Sequence, residues 1–242
     1  MIVNYIFASH LGKRRAVNED CVNVFNLDDG LLSIVCDGLG GNRAGDVASK
    51  TAVETIYNYF LQNPDLDNLT KMNAALTAAH QILLEKGRES EHYKGMATTA
   101  VVVFIAGNTV YWGHIGDSRI YFFTENQLRQ ITKDHSLVQK MVDNGLITSK
   151  QAEKHPHRNI IVKALGEDND CQPDCDYFYL HDGQQFKLLL CTDGLCGVLN
   201  FNEISKILSQ GENLEEISQK FFQQIEDFGS PDNFSYVIIN NI

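Results

Sequence analysis

The sequence predicts an α+β fold: a four-layer αββα sandwich of antiparallel sheets flanked by helices. Three observations predict it. Short apolar runs joined by hairpin-length turns recur along the 242-residue chain, and strands joined that closely pair antiparallel. Helical periodicity comes in paired blocks, 44–62 with 70–89 and 201–209 with 214–228, instead of alternating with single strands. Inserted helix pairs beside hairpin strands place the helices outside packed sheets.

In chain order, Val3–Ser9 reads as a first strand. Cys21–Leu27 and Leu31–Cys36 follow as a hairpin turning at Asp28-Asp29-Gly30;. Val47, Ala48, Thr51, Ile56, Tyr59 and Phe60 recur near helical spacing, and a second helix begins after Asn68 and Thr70 as candidate caps;. Thr98–Ala106, Thr109–Ile115, Arg119–Thr124 and Leu128–Thr132 form a meander, with Gly107-Asn108 at its first turn. The stretch 136–166 reads as polar and helical. Strands resume at Tyr177–His181 and Phe186–Cys191, and after the last helix pair Phe234–Asn240 closes the chain.

With 43% hydrophobic residues, 4 prolines and no Ser/Gly/Pro-rich linker, residues 1–242 read as one domain around one sizeable core. Met1 to His10 lacks a basic leader and a small-residue cleavage site, and no apolar run is long enough for a bilayer;. The net charge of −11 disfavours nucleic acid or an anionic membrane as partner;. The cysteines at 21, 36, 171, 175, 191 and 196 lack paired Cys-x-x-Cys spacing;. They read as reduced residues of a cytoplasmic protein, not as zinc ligands or a disulfide framework.

The informative pattern is a set of aspartates at strand ends. Leu31–Cys36 ends in Asp37-Gly38, Val110–Ile115 in Gly116-Asp117, and Phe186–Cys191 runs through Thr192 into Asp193-Gly194. Asp232-Asn233 precedes the last strand, and Glu19-Asp20 leads into the strand at Cys21. One Asp-Gly is a turn dipeptide, as at Asp29-Gly30; the recurrence is harder to assign to turns. In a sandwich such strand ends meet at a rim, where gathered carboxylates repel unless cations neutralise them. Oxygen ligands without a companion His or Cys select hard ions such as Mg²⁺, Mn²⁺ or Ca²⁺. Arg15 beside the first acidic pair suggests an anionic ligand, with phosphate the natural candidate.

Eight segments in register then carry a family resemblance. They are Gly12-Lys-Arg-Arg15-Ala-Val-Asn-Glu-Asp20, Val35-Cys-Asp37-Gly-Leu-Gly-Gly41 continuing to Ala44-Gly-Asp-Val-Ala-Ser49, Gly95-Met-Ala-Thr-Thr99 and Gly116-Asp-Ser-Arg119. Asp134-His-Ser136, His155-Pro-His-Arg-Asn159, Leu190-Cys-Thr-Asp193-Gly-Leu195 and Gly229-Ser-Pro-Asp232-Asn233 complete the set. The chain resembles the PPM-type metal-dependent serine/threonine protein phosphatases, the protein phosphatase 2C family, in their compact bacterial branch.

The resemblance implies two core Mn²⁺ or Mg²⁺ ions on Asp37, Asp193, Asp232 and the carbonyl of Gly38, with Asp37 bridging. Glu19 and Asp20 act through bound water, and Asp117 with Asp193 holds a third ion in bacterial members. Arg15 matches the phosphate-binding arginine, and residues 143–165 match a mobile flap. A cationic flap would offset the acidic charge and bring His155, Arg158 and Lys163 to the substrate. Ala97 and Thr192 replace a glycine and a serine, Lys163 stands where arginine is frequent, and Leu39 stands where eukaryotic members place a histidine proposed as general acid. The implied reaction is hydrolysis of phosphoserine and phosphothreonine in proteins by a metal-bridging hydroxide, within a serine/threonine kinase pathway, by a monomer. The rival reading is a catalytically silent phosphoprotein-binding module on the same fold. Intact Asp37, Asp193 and Asp232 stand against it.

Overall fold

The computed structural model describes residues 2–39, 44–167, 171–211 and 213–241. Gly40 and Gly41 of the Asp37 motif lie outside the described residues. The elements run β1 (Asn4–His10), β2 (Asp20–Leu27), β3 (Gly30–Leu39), α1 (Gly45–Gln62), α2 (Asn68–Glu89), β4 (Ala97–Thr98), β5 (Ala100–Ala106), β6 (Thr109–Ile115), β7 (Arg119–Thr124) and β8 (Gln127–Gln130). They continue with α3 (Leu137–Asp143), α4 (Ser149–Ala152), β9 (Asp174–Tyr179), β10 (Lys187–Cys191), α5 (Asp193–Cys196), α6 (Phe201–Gln210), α7 (Leu214–Asp227) and β11 (Phe234–Asn240).

Two antiparallel sheets result. One has the order β1-β11-β10-β7-β8; the other runs β2-β3-β5-β6-β9, with β4 paired to β3. Strand parity divides the apolar side chains among three interfaces. On β3, Leu32, Ile34 and Cys36 face α1 and α2, while Leu31 and Val35 face the other sheet. On β10, Leu188 and Leu190 face the inter-sheet core, and Leu189 and Cys191 join the layer beneath α6 and α7. Three buried layers separate four structural ones, the expected αββα sandwich. Strands with apolar residues on both faces read as continuous runs because both of their faces are covered.

Local chemistry differs from expectation in two places. The N-cap of α2 is Asp67, whose carboxylate accepts the Thr70 N–H at 3.0 Å, so neither Asn68 nor Thr70 caps it;. The 136–166 stretch holds only the short α3 and α4, followed by turns and isolated bridges at Ser136–Ile161 and Thr98–Leu165. Of the residues in α3 and α4 only Val138 is buried, so too little apolar contact exists to sustain a longer helix. No helix among the described residues is long and apolar enough to cross a membrane.

Candidate metal centre

The acids converge because both sheets end at one rim. Asp20 and Asp37 are directly opposed on β2 and β3, one step past the pair Cys21 and Cys36. Since Cys36 faces the helices, parity turns Asp37 and Asp20 toward the second sheet. That sheet contributes Asp193, the first residue of α5 after β10, and Asp232, just ahead of β11. Asp117 follows β6. Gly38 and Gly194 permit the close approach. A Cβ on Gly38 would run into the Gly45 carbonyl, and one on Gly194 into the Asn233 carbonyl;.

Hydrogen bonds sew the two sheets together here. Thr192 Oγ1 donates to Asp20 Oδ2 at 3.0 Å. Asn233 Oδ1 accepts the Glu19 N–H at 2.9 Å, and its Nδ2 donates to the carbonyls of Leu11 and Val17 at 2.8 and 3.1 Å. The Asp37 N–H donates to Thr99 Oγ1 at 3.0 Å, and Thr98 Oγ1 donates to the Asp37 carbonyl at 2.8 Å. Arg15 grips Asp232 with both prongs, Nε to Oδ1 and Nη2 to Oδ2 at 2.7 Å each, while its Nη1 stands 3.9 Å from Glu19;. Thr99 and Asn233 were not singled out from sequence, and Thr192 was noted there only as replacing a serine. Their signal was membership of the matched segments, Thr99 ending Gly95–Thr99 and Asn233 following Asp232.

The electrostatics fit an ion site. Burial, reinforced by neighbouring aspartates, pushes the Asp20 carboxyl up to about 7 and the Asp117 carboxyl up to about 8;. Asp37 is raised well above the ordinary range, by burial first and then by Asp20, Asp193 and Asp117. Asp193 and Glu19 are also raised by burial. Oδ1 of Asp20 and Oδ1 of Asp117 are buried without a hydrogen-bond partner. Orphaned buried oxygens among mutually repelling carboxyls are what a dication would satisfy. The donor set is oxygen alone, which suits Mg²⁺ or Mn²⁺.

A cleft of about 540 Å³ leads away from Asp117 and Asp193, beneath α3 and α4 and along the start of α6. Of the three flap residues named from sequence, Arg158 lines it. Lys163 instead donates to the Gln172 carbonyl at 3.4 Å, and His155 accepts the His157 N–H at 3.2 Å; neither lines the cleft. Lys154, not anticipated, does. On the cleft floor Arg119 pairs with Asp134 through two bonds of 2.8 and 2.6 Å.

A separate cluster, His114, His135 and Asp174, brings its ligand-type atoms within 4.8 Å of one another. His114 is fully buried, and neither ring nitrogen has a hydrogen-bond partner; the Gly116 and Ser118 backbone lies beside it without bonding geometry. Burial lowers its pKa to about 3. The Gly116 N–H donates to His135 Nδ1 at 3.2 Å, which leaves the ring proton on Nε2, aimed at Asp174 Oδ2 3.2 Å away;. That tautomer makes His135 a donor where a ligand would need a lone pair.

Comparison with known proteins gives a consistent result. The family described as protein phosphatase 2C matches residues 8–232. The serine/threonine phosphatase stp of Listeria welshimeri is 34% identical over 239 residues, covering 96% of this chain and 94% of its own. The crystal structure of the serine/threonine phosphatase Stp1 from Staphylococcus aureus superposes with a TM-score of 0.93 at 31% identity, covering 100% of this chain and 96% of that one. The catalytic domain of the serine threonine protein phosphatase PstP, solved with 2 manganese ions, gives a TM-score of 0.85 at 31% identity, with coverage of 98% and 97%.

Proposed function

Because this chain belongs to the protein phosphatase 2C family, we propose that it hydrolyses phosphoserine and phosphothreonine in proteins and reverses the action of a serine/threonine kinase. It is a metal-dependent protein serine/threonine phosphatase. The observation that carries the reading is the rim cluster of Asp20, Asp37, Asp117 and Asp193, with two buried carboxylate oxygens unpartnered, beside the two-pronged Arg15.

In this reading Asp37, Gly38, Asp193 and Asp232 would hold two core ions, Glu19 and Asp20 would act through water, and Asp117 with Asp193 would hold a third. Mn²⁺ or Mg²⁺ there supplies, when bound, a Lewis acid for the phosphoryl oxygens and an activated water. The chain's own groups do the rest. Arg15, whose side chain is 44% exposed, exchanges Asp232 for two phosphoryl oxygens and stabilises the charge that develops on them. Thr192 and Asn233 hold Asp20 and the Glu19 backbone in register, so the acids need little reorganisation. Leu39 has no ionisable group, so the proton for the leaving oxygen arrives by a route other than position 39. Arg158 and Lys154 bring positive charge to a protein of net charge −11, favouring approach of phosphoproteins. The cytoplasm is the compartment that suits its cysteine usage, and the chain is read as acting as a monomer.

The test is turnover of an aryl phosphate and a phosphothreonine peptide with and without Mn²⁺ or Mg²⁺. Activity should require the added ion. Full activity in EDTA would overturn the metal dependence, and a clear preference for phosphotyrosine would overturn the substrate class. The silent-module reading would be supported by tight phosphopeptide binding without turnover at saturating Mn²⁺.

A further inference from the structure

The cleft that opens at Asp117 and Asp193 carries more than the reaction centre needs. Its polar side chains are largely committed. Arg119 is spent on Asp134 and, through Nη1, on the Tyr121 hydroxyl at 3.1 Å. Gln130 donates to the Thr132 carbonyl and to Asp134, and Gln139 donates to Asp143. Ser136 and Asn200 are occupied as the N-caps of α3 and α6. On the body side of the cleft Arg119 and Gln130 therefore have their donors engaged, while Ser149, Lys154, Arg158 and Asn159 bring polar groups on the flap side.

Between these polar groups lies an apolar lining. Val138, Val142 and Ala152 line the flap side, and Val198, Leu199 and Phe201 line the side of the body. Phe201 is 45% exposed, although it opens a helix whose capping box fixes its position;. Its ring lies 6.3 Å from that of Tyr121, tilted at 60°. A large apolar side chain held in water at the mouth of a cleft is more informative than a scattered one.

We propose that this cleft is a subsite for an apolar side chain of the phosphoprotein substrate, one that flanks the phosphorylated residue in sequence. The occupant follows from continuity: the same cavity is lined by Asp117 and Asp193, so a chain whose phosphate sits at the acid cluster must lay adjoining residues along it. The proposal rests on the phosphatase reading above and deepens it by naming the substrate class, phosphoserine or phosphothreonine segments with a nearby Leu, Phe or similar residue. Charge enters at the rim, through Lys154 and Arg158; selection between substrates lies with Phe201 and the valines.

The experiment is a positional scan. Phosphothreonine peptides on an alanine background carry a single Leu or Phe at each position from three before to three after the phosphate, and kcat and KM are measured with Mn²⁺. Removal of one such side chain from water predicts about a tenfold gain in kcat/KM at one or two adjacent positions, expressed mainly in KM. Phe201→Ala, and independently Val142→Ser on the opposite wall, should cut that gain at least threefold relative to their own turnover of the alanine peptide and of an aryl phosphate. A flat scan would overturn the subsite, as would variants that lose peptide and aryl phosphate turnover equally. Wild-type protein inactive on every peptide and on the aryl phosphate would remove the phosphatase reading itself, and the subsite with it.

Discussion

Metal-free protein should lose stability as pH rises from 6.5 to 8, and Asp117→Asn should abolish much of that loss. The carboxyl of Asp117, 8% exposed, is held up to about 8 in the fold, against an ordinary carboxylate value in the unfolded chain;. Between those values the folded chain binds a proton that the unfolded chain has released, so folding stability falls with pH by about 1.4 kcal/mol per unit for each such group. The histidines act in the opposite sense at lower pH. His114, His135 and His10 are lowered by burial, and each costs the fold stability until its unfolded imidazole, half charged at about 6.5, has lost its proton, so up to about 0.4 kcal/mol per histidine is still recovered between pH 6.5 and 7.5. That recovery is shared by wild type and Asp117→Asn, so the difference between the two profiles isolates the Asp117 carboxyl. Asp117 alone predicts a loss of about 2 kcal/mol across it, equivalent to about 4–8 °C in Tm for a domain of this size. Asp20, held up to about 7, adds to the slope in its lower part. Thermal denaturation in EDTA at intervals of 0.5 pH unit measures it, and saturating Mn²⁺ should raise Tm and flatten the profile by holding the carboxylates ionised. A metal-free Tm that rises from pH 6.5 to 8 would refute the reasoning, and so would an equal slope in Asp117→Asn.

Three other outcomes are expected. Asp37→Asn and Asp232→Asn should each abolish turnover. Metal-free Tm should hold or rise for Asp37→Asn, which replaces a carboxyl crowded by Asp20, Asp193 and Asp117;. It should stay near level for Asp232→Asn, where lost repulsion is offset by loss of the two-pronged Arg15 pair. A metal titration should show the Mn²⁺-induced stabilisation shrinking, most for Asp37→Asn. Arg158→Ala with Lys154→Ala should raise KM for phosphopeptides with little change on an aryl phosphate, and the wild-type advantage should fade as salt rises, because steering by exposed charge is screened. Gly194→Ala should destabilise by more than about 2 kcal/mol by chemical denaturation, since its Cβ has no room against the Asn233 carbonyl, whereas Gly145→Ala, with open space but a φ of +69°, should cost about 1 kcal/mol from backbone strain alone.

The strands and the acids were legible because each depends on local pattern. Leu31–Cys36 and Phe186–Cys191 read as buried strands, and the aspartates that end them needed no tertiary knowledge to be noticed. Their convergence was inferred from the sandwich, and the register Asp20 opposite Asp37 bears it out in one hairpin. The flap was less legible. A polar stretch with few apolar residues has no strong period, so a continuous helix over 136–166 was a reasonable extrapolation that the structure breaks into α3, α4 and turns.

The orientation of long cationic side chains was harder still. Arg158 and Lys163 are both cations of one segment, yet Arg158 lines the cleft and Lys163 turns to the Gln172 carbonyl. Sequence spacing fixes a side chain's direction only inside a regular element, and both residues sit between bridges and turns. The same limit hid Lys154, one residue beyond the C-cap of α4. It also hid Asn233, whose amide ties Leu11, Val17 and Glu19 across more than two hundred residues of chain. Such a side chain works through partners distant in sequence, so its role is invisible until the first and last strands, β1 and β11, are seen to pair.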